Sequence, residues 1–419
     1  MIDDFRPAPR RDKSLQENTN TLKAETQIEP ETQTALDSTP VGSTPEAPDF
    51  TVFKPAQQGT GRWDRLKAVW PLSKKQWGIT AGVIVLLLGG IGAAITLNSS
   101  STPAPRRAIP VAAKKVIPKP VVPTTVASSL SGLQVDPAIN AKPVVGIMIE
   151  NSEYARPQSG LSQASVVYEA IAEGGITRFL TLFQDTAPAD VGPIRSVRPY
   201  YLQWALGFDA ALAHVGGSPE ALADVRSWGA RDLDQFFNGG SYHRISSRDA
   251  PHNVYTPVDT LTQLAISKGY TSSAFTPWVR KADATAKQVT AKTINFTLSG
   301  PLYNVQYDYD AASNTYKRSE AGAPHMDANG PVQISPKVVI GLIMPYGIQA
   351  DGKHSEYGTL GSGQAYIYQD GGVTVGQWNK ADSKTSMSFT DSAGKPLPIN
   401  AGQTWLTALT SVDKLSSAP

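Results

Sequence analysis

A stretch of twenty residues without a charged side chain, residues 78–97, constrains this chain most. As a helix rising about 1.5 Å per residue, it is long enough to cross roughly 30 Å of hydrocarbon. Its circumference has no polar face, which argues against a core helix of a globular protein. The 77 residues before it and its length argue against a cleaved signal peptide. We predict a transmembrane helix over 78–97, with the lipid bilayer as a partner.

The flanks of this segment indicate its orientation. Five basic residues lie in the twenty positions before it and four in the twenty after it, so the counts nearly balance. Lys74 and Lys75 lie directly against the span, however, and the far side begins with asparagine and serines. This predicts a single-pass protein of the plasma membrane with a cytoplasmic N-terminus. Residues 62–77, which are basic and contain three tryptophans, fit either an amphipathic turn on anionic headgroups or an unstructured basic anchor.

The segments on either side lack the periodicity of a folded core. Residues 1–61 are rich in Thr, Glu, Gln and Pro, which predicts a disordered cytoplasmic tail. Residues 98–135 carry repeated prolines, which favour polyproline II and predict a stalk. At ~3.1 Å per residue, such a stalk could hold a domain roughly 100 Å from the bilayer, although a simple flexible tether is an open alternative.

The composition excludes several classes of function. The 38 basic and 36 acidic residues nearly cancel, so we expect no nucleic-acid partner. The absence of cysteine removes disulfides, thiolate metal sites, iron–sulfur clusters and thiol nucleophiles. The five histidines lack the spacings of helical metal motifs, so neither a metal nor a cofactor is predicted.

Residues 136–288 alternate strand-like and helix-like patterns. Strands are predicted over 142–150, 165–173, 176–184 and 210–215, with Gly174 and Gly175 as a hairpin turn. Helices are predicted over 196–207, 219–228 and 258–268, the second opened by Ser218 as N-cap and Pro219 as the first helical residue. This pattern predicts a mixed α/β (α+β) domain.

Residues 289–412 have a different character. Alternating runs at 303–310, 315–318, 338–344, 365–369 and 373–378 are separated by turn residues such as Asp370-Gly371-Gly372. No sustained helical pattern is present here. The fold class is therefore mixed: an α/β domain followed by a mainly antiparallel β domain, preceded by the tail and the transmembrane helix.

Several motifs in these two regions carry a family resemblance. They are Ala155-Arg-Pro-Gln-Ser-Gly-Leu-Ser-Gln-Ala164, Tyr168-Glu-Ala170, Glu173-Gly-Gly-Ile-Thr-Arg-Phe179, Gly192-Pro-Ile-Arg-Ser-Val-Arg-Pro199, His214-Val-Gly-Gly-Ser-Pro219, Pro324-His-Met-Asp327, Gly376-Gln-Trp-Asn379 and Pro398-Ile-Asn-Ala-Gly-Gln-Thr-Trp405. Together they resemble the YerB-like lipoprotein family over about 140–410. The resemblance implies two adjacent domains of a bacterial envelope protein, both of unassigned biochemical function. The chain departs from the lipoprotein pattern, because it has no cysteine to carry a thioether lipid.

Polar residues near glycines in the first domain form a candidate ligand site. Its members are Arg178, Arg195, Arg198, Ser218, Arg244, Arg248, His252, Asn253 and Tyr255. Guanidinium groups offer planar forks for carboxylate or phosphate, and a helix N-terminus adds N–H groups. The alternative is a buried salt-bridge network of the arginines with Glu169 and Glu173. Five arginines near few carboxylates leave both interpretations open.

Catalytic interpretations rest on Glu169, Glu173 and His214. The two glutamates share strand parity and hence one face, but residues four apart on a strand lie about 13 Å apart, too far for a glycosidase pair. Ser218 lacks the second glycine of a nucleophile elbow and fits an N-cap better.

We therefore predict an extracytoplasmic binding or assembly protein of the cell envelope. Its arginine-lined cleft would engage an anionic envelope component such as a cell-wall polymer. A hydrolase or transferase acting on the cell wall through Glu169, Glu173 or His214 is the alternative. A third possibility is a spacer that joins protein partners.

Overall fold

The computed structural model describes residues 124–419. The predicted tail (1–61), juxtamembrane segment (62–77), transmembrane helix (78–97) and first part of the stalk lie outside the described residues. Across 124–419, no helix combines the length and apolarity needed to cross a bilayer.

The strands before residue 290 are β1 (Val126–Ala127), β2 (Gln134–Val135), β3 (Val145–Glu150), β4 (Val166–Glu173), β5 (Ile176–Phe183), β6 (Ala211–Ala213), β7 (Arg231–Asp232), β8 (His243–Arg244), β9 (Val254–Tyr255) and β10 (Arg280–Lys281). Of these, β3, β4 and β5 have six to eight residues, and the other strands have two or three. The α-helices of the described chain all lie in this region: α1 (Pro199–Leu206), α2 (Pro219–Ser227) and α3 (Val258–Ser267).

The region after residue 290 is built mostly of strands. They are β11 (Thr293–Phe296), β12 (Val305–Asp310), β13 (Thr315–Glu320), β14 (Ala323–Pro324), β15 (Met326–Asp327), β16 (Val332–Gln333), β17 (Val338–Ile343), β18 (Tyr346–Ile348), β19 (Ser355–Tyr357), β20 (Gly361–Gln369), β21 (Gly372–Lys380), β22 (Ser388–Thr390), β23 (Ile399–Asn400), β24 (Thr404–Leu409) and β25 (Leu415–Ala418). The predictions of a mixed α+β fold and of a C-terminal region made mostly of sheet are confirmed.

Both regions contribute to one ten-stranded sheet. Its order is β22-β21-β20-β17-β24-β4-β5-β3-β6-β7, so the two halves of the sequence meet where β24 pairs with β4. That pairing is parallel, as is the pairing of β24 with β17. The C-terminal region is therefore not purely antiparallel. The predicted domain bounds, 136–288 and 289–412, stay predictions.

Different layers cover the two faces of this sheet. Tyr201 and Trp204 of α1 pack with Leu180 in one core, together with Val225 of α2. On the other face, Leu261 of α3 packs with the five-stranded sheet β14-β13-β12-β11-β25 in a second core. Both faces are thus covered at the middle of the sheet, which explains why β3 and β24 are buried along their whole length.

The chain enters its folded part earlier than the proline pattern predicts. Residues 124–135, assigned to the stalk, contain the hairpin of β1 with β2. Leu130 in its loop is buried in the core beside Val144 and Leu182. This hairpin has no detectable sequence pattern, because its strands have only two residues each and alternate over too short a run.

Candidate functional site

Functional candidates gather at one edge of the central sheet, which we name the carboxyl edge. Strands β3, β6 and β7 run parallel, and β4 shares their direction because both β4 and β3 are antiparallel to β5. Glu150 ends β3 and Glu173 ends β4, while His214 follows β6. Helix α2 begins at the same edge, since it follows directly from β6. Helix α1 begins there too, because its N-cap residue Arg198 pairs with Glu173 at the end of β4. Carboxyl ends of parallel strands are a common place for ligand sites.

Glu173 binds two of the predicted arginines. It pairs with Arg178 of β5 and with Arg198, the N-cap residue of α1, whose Nη2 lies 2.6 Å from a Glu173 oxygen. Burial alone would raise the pKa of Glu173, but the charges of Arg178 and Arg198 outweigh it and lower that pKa. Arg178 also donates to the Ser196 carbonyl, and Arg198 donates to its neighbour Val197. These two guanidinium groups are committed to protein partners.

Glu169 lies on the opposite face from Glu173, so the prediction that they share a face is wrong. A register shift between Ile171 and Glu173 marks a β-bulge, which reverses the alternation of side chains. Glu169 therefore points to the five-stranded sheet, where Arg318 lies 3.0 Å away. The bulge lies next to the Gly174-Gly175 turn, and no residue type in the sequence marks it.

Glu150 joins Arg195 to His252. Nδ1 of His252 lies 2.9 Å from a Glu150 oxygen, and Nε of Arg195 lies 3.3 Å from the same oxygen. The Arg195 side chain is 26% exposed. Nε is buried and meets Glu150 as an ion pair without a hydrogen bond, and the two terminal nitrogens have no hydrogen bond within residues 124–419 either. Arg195 thus differs from Arg178 and Arg198, whose terminal nitrogens all donate to protein oxygens.

His252 lines an open cavity of about 440 Å³. The other walls include Tyr154, Ser246, Ser247, Arg248 and Asp249. The Tyr154 ring packs against His252 at 5.4 Å between centroids. This cavity, which we name the edge cavity, is polar and bordered by one exposed aromatic ring. Such a lining suits a hydrophilic ligand with charged or hydroxyl groups.

The other predicted ligand residues near this loop shape it. Arg248 donates to the carbonyls of Tyr154 and Pro157, each at 2.6 Å. Arg244 donates to Asn253 at 2.6 Å, and Asn253 donates in turn to the Arg248 carbonyl. Tyr255 is buried.

The turn after β6 uses His214 and Ser218 internally. Nδ1 of His214 lies 2.8 Å from the Gly216 carbonyl, and Nε2 lies 3.1 Å from Asp232. The hydroxyl of Ser218 accepts from the Ala221 N–H at 3.3 Å, as an N-cap does. Both side chains are buried. Their atoms are occupied in holding the turn and the start of α2.

A second polar group lies between the two regions of the chain, and Glu169 is the only member of it proposed for a site from the sequence. We name it the junction network: Asn151, Arg156, Gln158, Glu169, Arg318, Glu320 and His325. Arg318 and Glu169 are both fully buried, and the Arg318 guanidinium lies 4.7 Å from the centre of the Trp405 ring. Arg318 and Glu320 alternate with exposed residues on β13, in line with the buried Tyr316. Charged residues at inward positions of an amphipathic strand were the signal that could have identified them.

The family motifs meet at this junction. Asp327 accepts from the N–H groups of Gly160 and Ser162 at 3.0 and 2.7 Å. The Ala328 N–H bonds to the Gln158 carbonyl. The segment 155–164 therefore docks on the segment 324–328, which gives two of the resembling motifs one structural role.

Comparisons with known proteins agree with this architecture. Residues 130–271 match the N-terminal domain, and residues 279–406 the C-terminal domain, of a protein family of unknown function, DUF3048. A Bacillus subtilis (strain 168) protein described as "Putative lipoprotein YerB" is 31% identical over 293 residues, covering 68% of this chain and 87% of that protein. The crystal structure of YerB from Bacillus subtilis superposes with a TM-score of 0.64 at 29% identity, over 70% of this chain and all of that one.

Proposed function

The chain belongs to the DUF3048 family together with YerB of Bacillus subtilis, and from this premise we propose that it is an envelope-attached module that binds an anionic cell-wall polymer. The polymer would lie at the carboxyl edge, with Arg195 and the edge cavity as its contacts. The proposal concerns binding, and it assigns no reaction to the protein.

Attachment to the membrane is the first part of the proposal. The Bacillus subtilis relative is described as a lipoprotein, whereas this sequence has no cysteine for a thioether lipid. The apolar residues 78–97 would replace the lipid as the anchor, with the N-terminus in the cytoplasm and the folded part outside. The proline-rich residues before the first hairpin would then hold the folded part away from the bilayer.

One observation carries the binding proposal: the Arg195 side chain is 26% exposed, and its terminal nitrogens have no hydrogen bond within residues 124–419. Glu150 forms an ion pair with Nε of this guanidinium and connects it to His252, which lines the edge cavity. A guanidinium held in place on one side loses little side-chain entropy when its other side binds a carboxylate or phosphate. Arg248, held by two carbonyls, adds a second fixed positive charge to the same cavity.

The three side chains proposed for catalysis are all engaged by other protein groups, which favours binding over hydrolysis. Glu169 is fully buried against Arg318, and Glu173 is held ionised by two arginines. Both ring nitrogens of His214 face protein oxygens. A general acid or base needs a free position toward its substrate. These three groups have their partners within the protein.

Retention on purified cell walls tests the proposal. The full-length protein, kept in mild detergent, is incubated with sacculi that carry their anionic polymer and with sacculi stripped of it. We expect retention only on the first, and at least a fivefold loss for Arg195→Ala. Lys317→Ala removes the same charge from an exposed position on β13 and serves as the matched control.

Equal retention of the wild type and Arg195→Ala would overturn the proposal. The incubation also distinguishes the enzymatic alternative. Soluble wall fragments that are released by the wild type and not by Glu173→Gln would replace binding with hydrolysis.

A further inference from the structure

A second cavity, of about 320 Å³, opens beside the junction network. Its walls are formed by Pro157, Ala323, Pro324 and Met326, and its polar groups are Arg156, Glu320 and His325. We name it the junction cavity. It shares no lining residue with the edge cavity, so any ligand here is additional to the proposed function.

Glu320, which lines this cavity, has one carboxylate oxygen without a hydrogen-bond partner in the described chain. Its Oε1 accepts from Asn151 at 2.6 Å and from Arg156 at 3.0 Å. Its Oε2 is buried without a hydrogen-bond partner within residues 124–419, although the residue is only 5% exposed. A buried carboxylate oxygen without a partner costs about 1–3 kcal/mol, so such an atom needs an explanation.

His325 cannot be the missing partner. Its Nδ1 lies 3.4 Å from Glu320 Oε2, but this nitrogen accepts from Nε of Arg318 at 2.9 Å. Its Nε2 lies 2.9 Å from the side-chain oxygen of Gln158, to which it donates. The imidazole is therefore neutral with its proton on Nε2. Burial and the charge of Arg318 lower the pKa of His325 well below its ordinary value, in agreement with this tautomer.

Arg156 supplies an unused donor at the same cavity. Its Nε and Nη2 donate to Asn151, and Nη2 also donates to Glu320. Its Nη1 has no hydrogen-bond partner in the described part of the chain, and the side chain is 18% exposed. The cavity therefore combines one free acceptor, one free donor and small apolar walls.

We propose that the junction cavity binds an acetamido group, the N-acetyl substituent of an amino sugar. The amide N–H would donate to Glu320 Oε2, the amide carbonyl would accept from Arg156 Nη1, and the methyl group would pack on Pro157 and Pro324. An ammonium ligand fits less well, because the guanidinium groups of Arg156 and Arg318 lie close to Glu320. A hydroxyl would leave the apolar walls without a contact.

The charges around Glu320 make the affinity for this ligand depend on pH. Four titratable side chains surround Glu320. Arg318 lies on the same strand, β13, and Glu169 lies on β4. Arg156 belongs to the segment 155–164 and His325 to the segment 324–328. Burial is the largest cause that raises the pKa of Glu320 to about 7. Because Oε1 already receives two hydrogen bonds, the proton resides on Oε2, which then cannot accept from an amide N–H. Affinity is expected to fall as the pH is lowered from 8 to 6.

Saturation-transfer NMR on the full-length protein tests the proposal with three sugars: N-acetyl-D-glucosamine, D-glucosamine and D-glucose. We expect transfer to the acetyl methyl protons of the first and none above background for the other two. In Glu320→Gln, the oxygen remains on Asn151 and Arg156, so the NH₂ group takes the place of Oε2. That change turns the acceptor into a donor and should weaken binding at least tenfold.

A second variant separates loss of binding from loss of folding. Ala323 is exposed on the cavity wall, so Ala323→Phe occupies the cavity while every residue of the junction network is kept. It should abolish the methyl signal and leave the melting temperature unchanged. Arg195→Ala, which belongs to the edge site, should retain the full signal.

Two results would overturn the inference. One is equal saturation of all three sugars, and the other is an unchanged methyl signal in both Glu320→Gln and Ala323→Phe. Either result leaves the retention of the protein on anionic walls through Arg195 unaffected. Failure of this inference can therefore be distinguished from failure of the proposed function.

Discussion

Glu169 and Glu173 lie four residues apart on one strand, yet they occupy opposite environments. Glu169 and its partner Arg318 are fully buried between the two regions of the chain. Glu173 has a side chain that is 30% exposed and two arginines at the carboxyl edge. Charge inside the protein is stabilised only by its partner, whereas charge at the edge is also stabilised by water. Arg195 extends this series, since its side chain is 26% exposed and its terminal nitrogens have no hydrogen bond within residues 124–419.

The largest effect on stability is expected at the fully buried pair of Glu169 and Arg318. Arg318→Met leaves Glu169 buried without its countercharge and should lower the free energy of unfolding by about 3–5 kcal/mol. Urea unfolding monitored by tryptophan fluorescence measures it. Lys317→Met, on the preceding and exposed position, should change stability by less than about 0.5 kcal/mol.

A double variant sharpens this result. Glu169→Gln combined with Arg318→Met removes both charges and should recover part of the loss. Equal stability of Arg318→Met and Lys317→Met would show that the buried pair does not join the two regions.

The pH dependence of stability has the next largest expected effect. Glu320 holds its proton more tightly in the folded protein, because burial raises its pKa from an ordinary 4.5 to about 7. Its stabilising contribution is complete below pH 4.5 and is lost as the pH rises to about 7, by up to about 3 kcal/mol.

Thermal or urea unfolding of the wild type and Glu320→Gln between pH 4.5 and 8 isolates this contribution. The difference in stability, wild type minus variant, should fall with rising pH. A difference that stays constant across this range would mean that Glu320 keeps an ordinary pKa.

At the edge, Arg198→Ala removes one of the two partners of Glu173. Arg178 and water remain, so the expected loss is about 2 kcal/mol, less than for Arg318→Met. The same unfolding measurement checks it. A loss as large as that of Arg318→Met would erase the distinction between edge and interior.

A smaller loss is expected for Ser218→Ala. Its hydroxyl caps α2 through the Ala221 N–H, and such caps contribute about 1 kcal/mol. Wall retention should not change, because Ser218 is buried. If Ser218→Ala lost wall retention at unchanged stability, Ser218 would be a ligand-binding residue.

Local signals in the sequence predicted much of the fold. Gly174 and Gly175 both have positive φ in the hairpin, as a two-residue turn requires. Ser218 and Pro219 begin α2 where the cap pattern places them. The three α-helices of the described chain lie within the predicted ranges.

Features that depend on distant residues were not predictable in this way. The pairing of β24 with β4 joins residues far apart in sequence, and β24 is buried on both faces, so it shows no alternation. Arg318 is separated from Glu169 by 149 positions. The same holds for the site: sequence identified Arg178, Arg195 and Arg198 together, but only their carboxylate partners show which guanidinium is free.

Arginine modification with phenylglyoxal, followed by peptide mass spectrometry, tests that distinction most directly. The full-length protein is treated alone and when bound to walls that carry their anionic polymer. We predict that Arg195 reacts readily in the free protein and is protected at least fivefold by the walls, while Arg178 and Arg198 react slowly in both. Equal reactivity of Arg195 with and without the walls, or faster reaction of Arg198 than of Arg195, would contradict the account.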